Sequence, residues 1–148
     1  MKVEIFLRDE NVWLTQAKIA ELFGVDRSVV TKHLQNIYTE GELFKEATSA
    51  KIAQVQNEGN RQVSREVEFY NLDAILSVGY RVNSAQATQF RIWATERLKE
   101  YIIKGFTIDS NRLKNLGGGN YWKELLDQIR DIRSSEKRFY RKITDIYA

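Results

Sequence analysis

The chain has 148 residues, 43% of them hydrophobic and 29% charged, which excludes a disordered polypeptide and allows one domain of ordinary size with an appendage. It contains no cysteine, so a disulfide framework, a thiolate nucleophile and a zinc finger are ruled out, and a reducing cytoplasm is the expected compartment. The net charge of +3 is mild, no apolar run approaches a membrane span, and Met1-Lys2-Val3-Glu4 lacks the apolar region of a secretory signal.

Val3, Ile5 and Leu7 alternate with polar residues, Arg8-Asp9-Glu10-Asn11 reads as a turn, and Val12-Trp13-Leu14 resumes the apolar run, which predicts a short hairpin. From Leu14 to Ile37 the spacing is that of a helix-turn-helix. Thr15 caps a first helix with Ile19, Ala20, Leu22 and Phe23 inward, Gly24 ends it, and Asp26 caps a second helix with Val29, Val30, Leu34 and Ile37 inward. Arg27, Ser28, Thr31, Lys32 and Gln35 remain on the outer face. A guanidinium, an ammonium, an amide and two hydroxyls there suit the base edges and phosphates of a major groove. Two helices joined by a glycine turn also occur where nothing but helix packing is required.

Thr39-Glu40-Gly41-Glu42 closes the second helix, and Ile52, Val55, Val63, Val67, Phe69 and Tyr70 about an Asn57-Glu58-Gly59-Asn60 turn predict another hairpin. It has the position of a wing, offering Lys51, Arg61 and Arg65 against Glu58, Glu66 and Glu68; a ribbon that merely covers the helices fits the pattern equally. Asp73 is the expected cap of a short helix ended near Gly79. Ser84 caps a longer one bearing Ala87, Phe90, Trp93, Ala94, Leu98, Tyr101 and Ile102, expected as core and ended at Gly105.

Residues 115–120, with Gly117-Gly118-Gly119, read as a linker. Beyond it Trp122, Leu125, Ile129, Ile132, Glu136, Phe139, Ile143 and Ile146 follow a heptad seam broken at Glu136. The reading is a coiled-coil helix that pairs two protomers through residues 122–146, as against a helix folded onto its own domain. The seam runs to Tyr147-Ala148 without a capping glycine, which reads as a truncated C-terminus. The expected organisation is therefore 1–114, a DNA-binding domain; 115–120, a linker; and 121–148, an amphipathic helix.

Charge is unevenly spread. Residues 1–48 hold 6 basic and 8 acidic side chains, and residues 76–119 hold 7 and 3, so the proposed reading head sits in an acidic neighbourhood. Phosphate attraction is expected to come from Arg81, Arg91, Arg97 and Lys104 as well. Enzyme chemistry finds little to work with: the single histidine, His33, lies inside the second helix, no acid cluster has metal-ligand spacing, and the three glycines are not followed by the Lys-Ser/Thr of a phosphate loop. No catalytic residue, metal or cofactor is assigned, and duplex DNA is the expected partner. A non-DNA protein-interaction module, acting through the aromatic helices and heptad tail, is the alternative.

Val12-Trp13-Leu14-Thr15-Gln16, Ala20-Glu21-Leu22-Phe23-Gly24, Glu40-Gly41-Glu42-Leu43, Tyr70-Asn71-Leu72-Asp73, Ser77-Val78-Gly79-Tyr80-Arg81-Val82 and Thr88-Gln89-Phe90-Arg91-x-Trp93-Ala94, through Lys99-Glu100-Tyr101 and Lys104-Gly105-Phe106, resemble the virulence protein RhuM family. That resemblance implies a bacterial protein of mobile elements or pathogenicity islands, treated as DNA-binding, with members generally longer than this chain. The layout also resembles the Bro-N domain of phage and viral regulators. The implied fold is α+β, a helix-turn-helix core with small hairpins, winged or Bro-N-like, followed by a C-terminal amphipathic helix; neither resemblance supplies an active site.

Overall fold

The computed structural model describes residues 5–115 and 119–147, with the side chains of 115, 119, 120 and 137–147 left aside. Its elements are β1 (Phe6–Arg8), β2 (Asn11–Thr15), α1 (Gln16–Phe23), α2 (Arg27–Thr39), α3 (Lys45–Thr48), β3 (Ser49–Glu58), β4 (Arg61–Asn71), α4 (Leu72–Arg81), α5 (Ala85–Lys104), α6 (Ser110–Asn115) and α7 (Gly119–Tyr147). The fold is α+β, with a four-stranded antiparallel sheet in the order β1-β2-β4-β3 and a long C-terminal helix. The chain divides into two compact units, Met1–Lys99 and Glu100–Ala148, with the boundary inside α5.

In the first unit, local chemistry starts and stops the elements. Asp9 and Glu10 both take positive φ, 53° and 59°, the conformation that lets a two-residue turn match the twist of β1 and β2. Thr15 caps α1 by accepting from the Lys18 N–H at 3.2 Å, and Gly24 ends it at φ 65°, ψ 38°. Asp26 then caps α2 through the Ser28 N–H at 3.3 Å. Ser84, whose oxygen accepts from the Ala87 N–H at 3.1 Å, donates its own proton to the Phe23 carbonyl at 2.6 Å, tying the start of α5 to the end of α1.

The core gathers Leu14 of β2, Ile19, Ala20 and Phe23 of α1, Val30, Leu34 and Ile37 of α2, Tyr70 of β4, Ala74, Ile75 and Val78 of α4, and Ala87 of α5. Removing such side chains from water is what holds the short helices in place, since none has the length to be stable alone. Two expectations about α4 are corrected. Its cap is Asn71, whose side chain accepts from the Ala74 N–H at 3.2 Å, and not Asp73. Gly79 lies inside the helix instead of ending it: a Cβ there would come within 2.7 Å of both Phe23 Cζ and Phe90 Cε1, so glycine is present to let two rings approach the backbone.

The aromatic stripe of α5 is corrected too. Ala87 is fully buried and Phe90 packs against the core, but Trp93 and Leu98 are 56% and 55% exposed. Only the first turns of α5 lie over the core of the unit, and the stripe outlasts that contact.

The second unit holds the end of α5, then α6 and α7. Gly105, at φ 82°, stops α5 with its N–H on the Tyr101 carbonyl at 2.7 Å. On α7, Trp122, Ile129 and Ile132 are exposed and Leu125 and Leu126 half-buried. Of the expected linker, 115 belongs to α6, 119 and 120 to α7, and 116–118 lie outside the described residues. Val3, in the expected first hairpin, and the side chains of Phe139, Ile143 and Ile146 in the heptad seam lie outside them as well. Among the described residues no helix is long and apolar enough to cross a membrane.

Candidate nucleic-acid interface

The second helix carries Arg27, Ser28, Lys32 and Gln35 on its exposed surface, with Thr31 half-buried beside them. No Asp or Glu occurs along its 13 residues, and its two cations, Arg27 and Lys32, lie in the first half, between the Asp26 cap and Glu40. The side chains are nevertheless in different states. The Ser28 hydroxyl donates to Asp26 Oδ2, and this bond with the cap's backbone bond holds the Asp26 carboxyl below the usual range. The Thr31 hydroxyl donates to Gln16 Oε1, with the Arg27 carbonyl also in reach at 3.1 Å, and Gln16 Nε2 donates in turn to the Tyr70 hydroxyl at 2.9 Å. This relay fixes α2 against α1 and β4. Arg27, Lys32 and Gln35 present polar groups outward, as do Asn36 and Thr39 toward the end of the helix.

The arginines expected to grip phosphates are differently used. Arg81 Nη2 donates to Glu40 Oε2 at 2.7 Å and to Glu42 Oε2 at 2.8 Å, which raises the arginine pKa further and lowers that of Glu40. Its charge is neutralised by the acids at the end of α2, roughly 20 Å of helix from Arg27 at the start. Arg91 Nη1 donates to the carbonyls of Gly79 and Val82 at 3.0 and 2.8 Å, and Nη2 to Thr88 Oγ1 at 3.2 Å, so it satisfies carbonyls that the end of α4 leaves open. Arg97 lines an apolar groove of about 650 Å³ with Leu22, Phe23, Ile75, Phe90 and Trp93. Lys104 is exposed on the last turn of α5, in the second unit. The structure thus brings the α2 residues together on one helix, with Arg81 held by Glu40 and Glu42 beyond its end, Arg91 spent on carbonyls at the end of α4 and Arg97 in the apolar groove.

His33, half-buried on α2, has its pKa lowered first by burial and then by Arg81 and Lys32. Tyr38 and Tyr70 are pushed up by burial, Tyr38 being bonded to Thr48 at 2.9 Å.

What sequence reasoning missed is a polar cleft of about 300 Å³ beside the start of α2, lined by Gln16, Arg27 and Tyr70 and, from the hairpin, by Gln54, Gln56 and Glu68. The alternation of Gln54 and Gln56 along one strand was the available signal, but only the fold shows that both reach a cleft shared with Arg27.

These elements define an α+β protein whose first unit presents a polar cleft and an apolar groove. The chain belongs to the virulence protein RhuM family, whose model matches residues 47–148. The matched span runs from α3 through α7; α1 and α2 precede it, as do the similar blocks between Val12 and Leu43, while those from Tyr70 to Phe106 fall inside. No curated protein and no solved structure matches the chain.

Proposed function

We propose that this member of the RhuM family is a DNA-binding regulator of a bacterial mobile element or pathogenicity island, acting in the cytoplasm, and not an enzyme. In this reading α1 and α2 work as a helix-turn-helix, and α2, within residues 26–37, enters the major groove of duplex DNA with Arg27, Lys32 and Gln35 as its contacts. The observation that carries it is a helix without a single carboxylate whose exposed face offers a guanidinium, an ammonium and an amide, the donors that phosphates and purine edges accept. Ser28 and Thr31 support that helix through the cap and the Gln16 relay, and Arg81 and Arg91 serve the fold. The test is a salt-titrated binding measurement on duplex DNA: log affinity should fall linearly with log salt, and Arg27→Ala with Lys32→Ala should reduce the slope by about two. A slope near zero refutes the reading.

A second reading, a protein-interaction module, is favoured by a different observation: the apolar groove beside Trp93 and Leu98 in the first unit. In either reading α7 is proposed to pair two copies of the chain through residues 122–146.

A further inference from the structure

β2 pairs with β4 only over Phe69–Asn71, whereas β3 pairs with β4 along its whole length from Ser49 to Glu58. Beyond the sheet, Ile52–Glu58 and Arg61–Val67 therefore run on as a two-stranded ribbon, about 24 Å long at the rise of an extended strand. A ribbon with no third strand gains little stability from its own burial, and most of its side chains are exposed.

Its two faces differ. Directly opposed residues in an antiparallel pair share a face, so Gln54 with Arg65, Gln56 with Val63 and Glu58 with Arg61 form one side, and Ala53 with Glu66, Val55 with Ser64 and Asn57 with Gln62 the other. Glu68 and Tyr70, in register with Lys51 and Ser49 on the second face, line the cleft where the ribbon joins the sheet, and further out Gln54 and Gln56 line it from the first face, while Ala53 and Val55 do not. On the first face Arg65 is paired with Glu58 at 2.8 Å, and Arg61 tips the balance to positive. The acid on the cleft wall, Glu68, lies 3.4 Å from Lys45 Nζ. One wall of the cleft thus carries a guanidinium and the other two neutral amides, with the carboxylate offset by a lysine.

We propose that this cleft clasps one sugar–phosphate strand of duplex DNA, with Arg27 donating from the helix wall and Gln54 and Gln56 from the ribbon wall. The inference rests on the reading that α2 enters a major groove, and it places the ribbon over the strand that borders that groove. Amides and guanidinium groups both donate to phosphate oxygens, but only the charged donor displaces a counterion. The two walls therefore leave different signatures.

The experiment uses the full chain, a duplex of mixed sequence of about 30 base pairs, and a salt titration for each variant, with circular dichroism as the check on folding. Gln54→Ala with Gln56→Ala should lose about tenfold in affinity on every sequence with the salt slope unchanged, and Gln54→Glu with Gln56→Glu should lose more, by repulsion. Asn57→Ala with Ser64→Ala, on the opposite face, should bind within about twofold of the parent. Arg27→Ala should lower the slope by about one. If the parent binds and responds to Arg27→Ala but both glutamine pairs bind as the parent does, the clasp is overturned while the reading of α2 stands. If the parent chain does not bind duplex DNA, both are overturned.

Discussion

The Arg81 guanidinium lies 2.7 Å from the Glu40 carboxylate and 2.8 Å from that of Glu42, bridging the end of α4 to the end of α2. A cation that composition assigns to phosphate attraction is thus held by two acids of its own chain. Arg81→Ala should lower the melting temperature slightly and leave DNA affinity within about twofold of the parent, because an exposed ion pair contributes modestly and has no free charge to lend. A drop in affinity matching that of Arg27→Ala would show instead that Arg81 exchanges its carboxylates for phosphate.

The Thr31 hydroxyl works inside the fold, through Gln16 to Tyr70. Thr31→Val keeps the shape and removes the donor, leaving a half-buried amide oxygen without it. We expect a loss of about 1 kcal/mol in chemical denaturation, with Gln16→Leu in the same background costing less than the sum of the single changes.

Gly79→Ala sets two effects against each other. Alanine favours a helix by about 1 kcal/mol over glycine, but its Cβ would sit 2.7 Å from the rings of Phe23 and Phe90, and overpacking costs about 1–3 kcal/mol. Since Phe23 is fully buried, its ring has little room to retreat, and the net outcome is a destabilisation of roughly 1 kcal/mol. Phe90→Leu combined with Gly79→Ala should recover part of it.

Acid should weaken the fold in two stages. His33 has a folded pKa below the ordinary value of about 6.5, so the unfolded chain binds the extra proton first, and stability declines as pH falls through that ordinary value. Glu40, depressed by Arg81, and Asp26, depressed by Ser28, stabilise the fold above their ordinary values and lose that contribution as pH falls through their folded ones. Denaturation midpoints measured from pH 8 to pH 3 should show both stages, and His33→Gln should remove the first alone.

Ile129 and Ile132 are exposed on α7, where the proposed pairing of two chains would cover them. Ile129→Glu with Ile132→Glu should convert dimers to monomers in sedimentation velocity while the circular dichroism of the first unit's elements is unchanged. An identical sedimentation profile refutes the pairing.

Much of this protein is decided by residues close together in the chain. Thr15, Gly24, Asp26, Ser84 and Gly105 start and stop helices through hydrogen bonds and dihedral angles within a turn of themselves, so their roles are legible without coordinates, as are both hairpins and the outward face of α2. Family membership is legible too, in blocks such as Tyr70–Asp73 and Ser77–Val82 that fall inside the matched span. The tertiary structure decided what depends on distant partners. Whether an arginine is available to a ligand turns on whether Glu40, Glu42 or a helix-end carbonyl reaches it first. Gly79 reads alone as a stop signal and becomes a packing site only when Phe23 and Phe90 arrive from α1 and α5. The cleft beside Arg27 exists because the hairpin of β3 and β4 brings Gln54, Gln56 and Glu68 to the start of α2. Side-chain periodicity says which residues share a face; only the packing of one element on another says what that face meets.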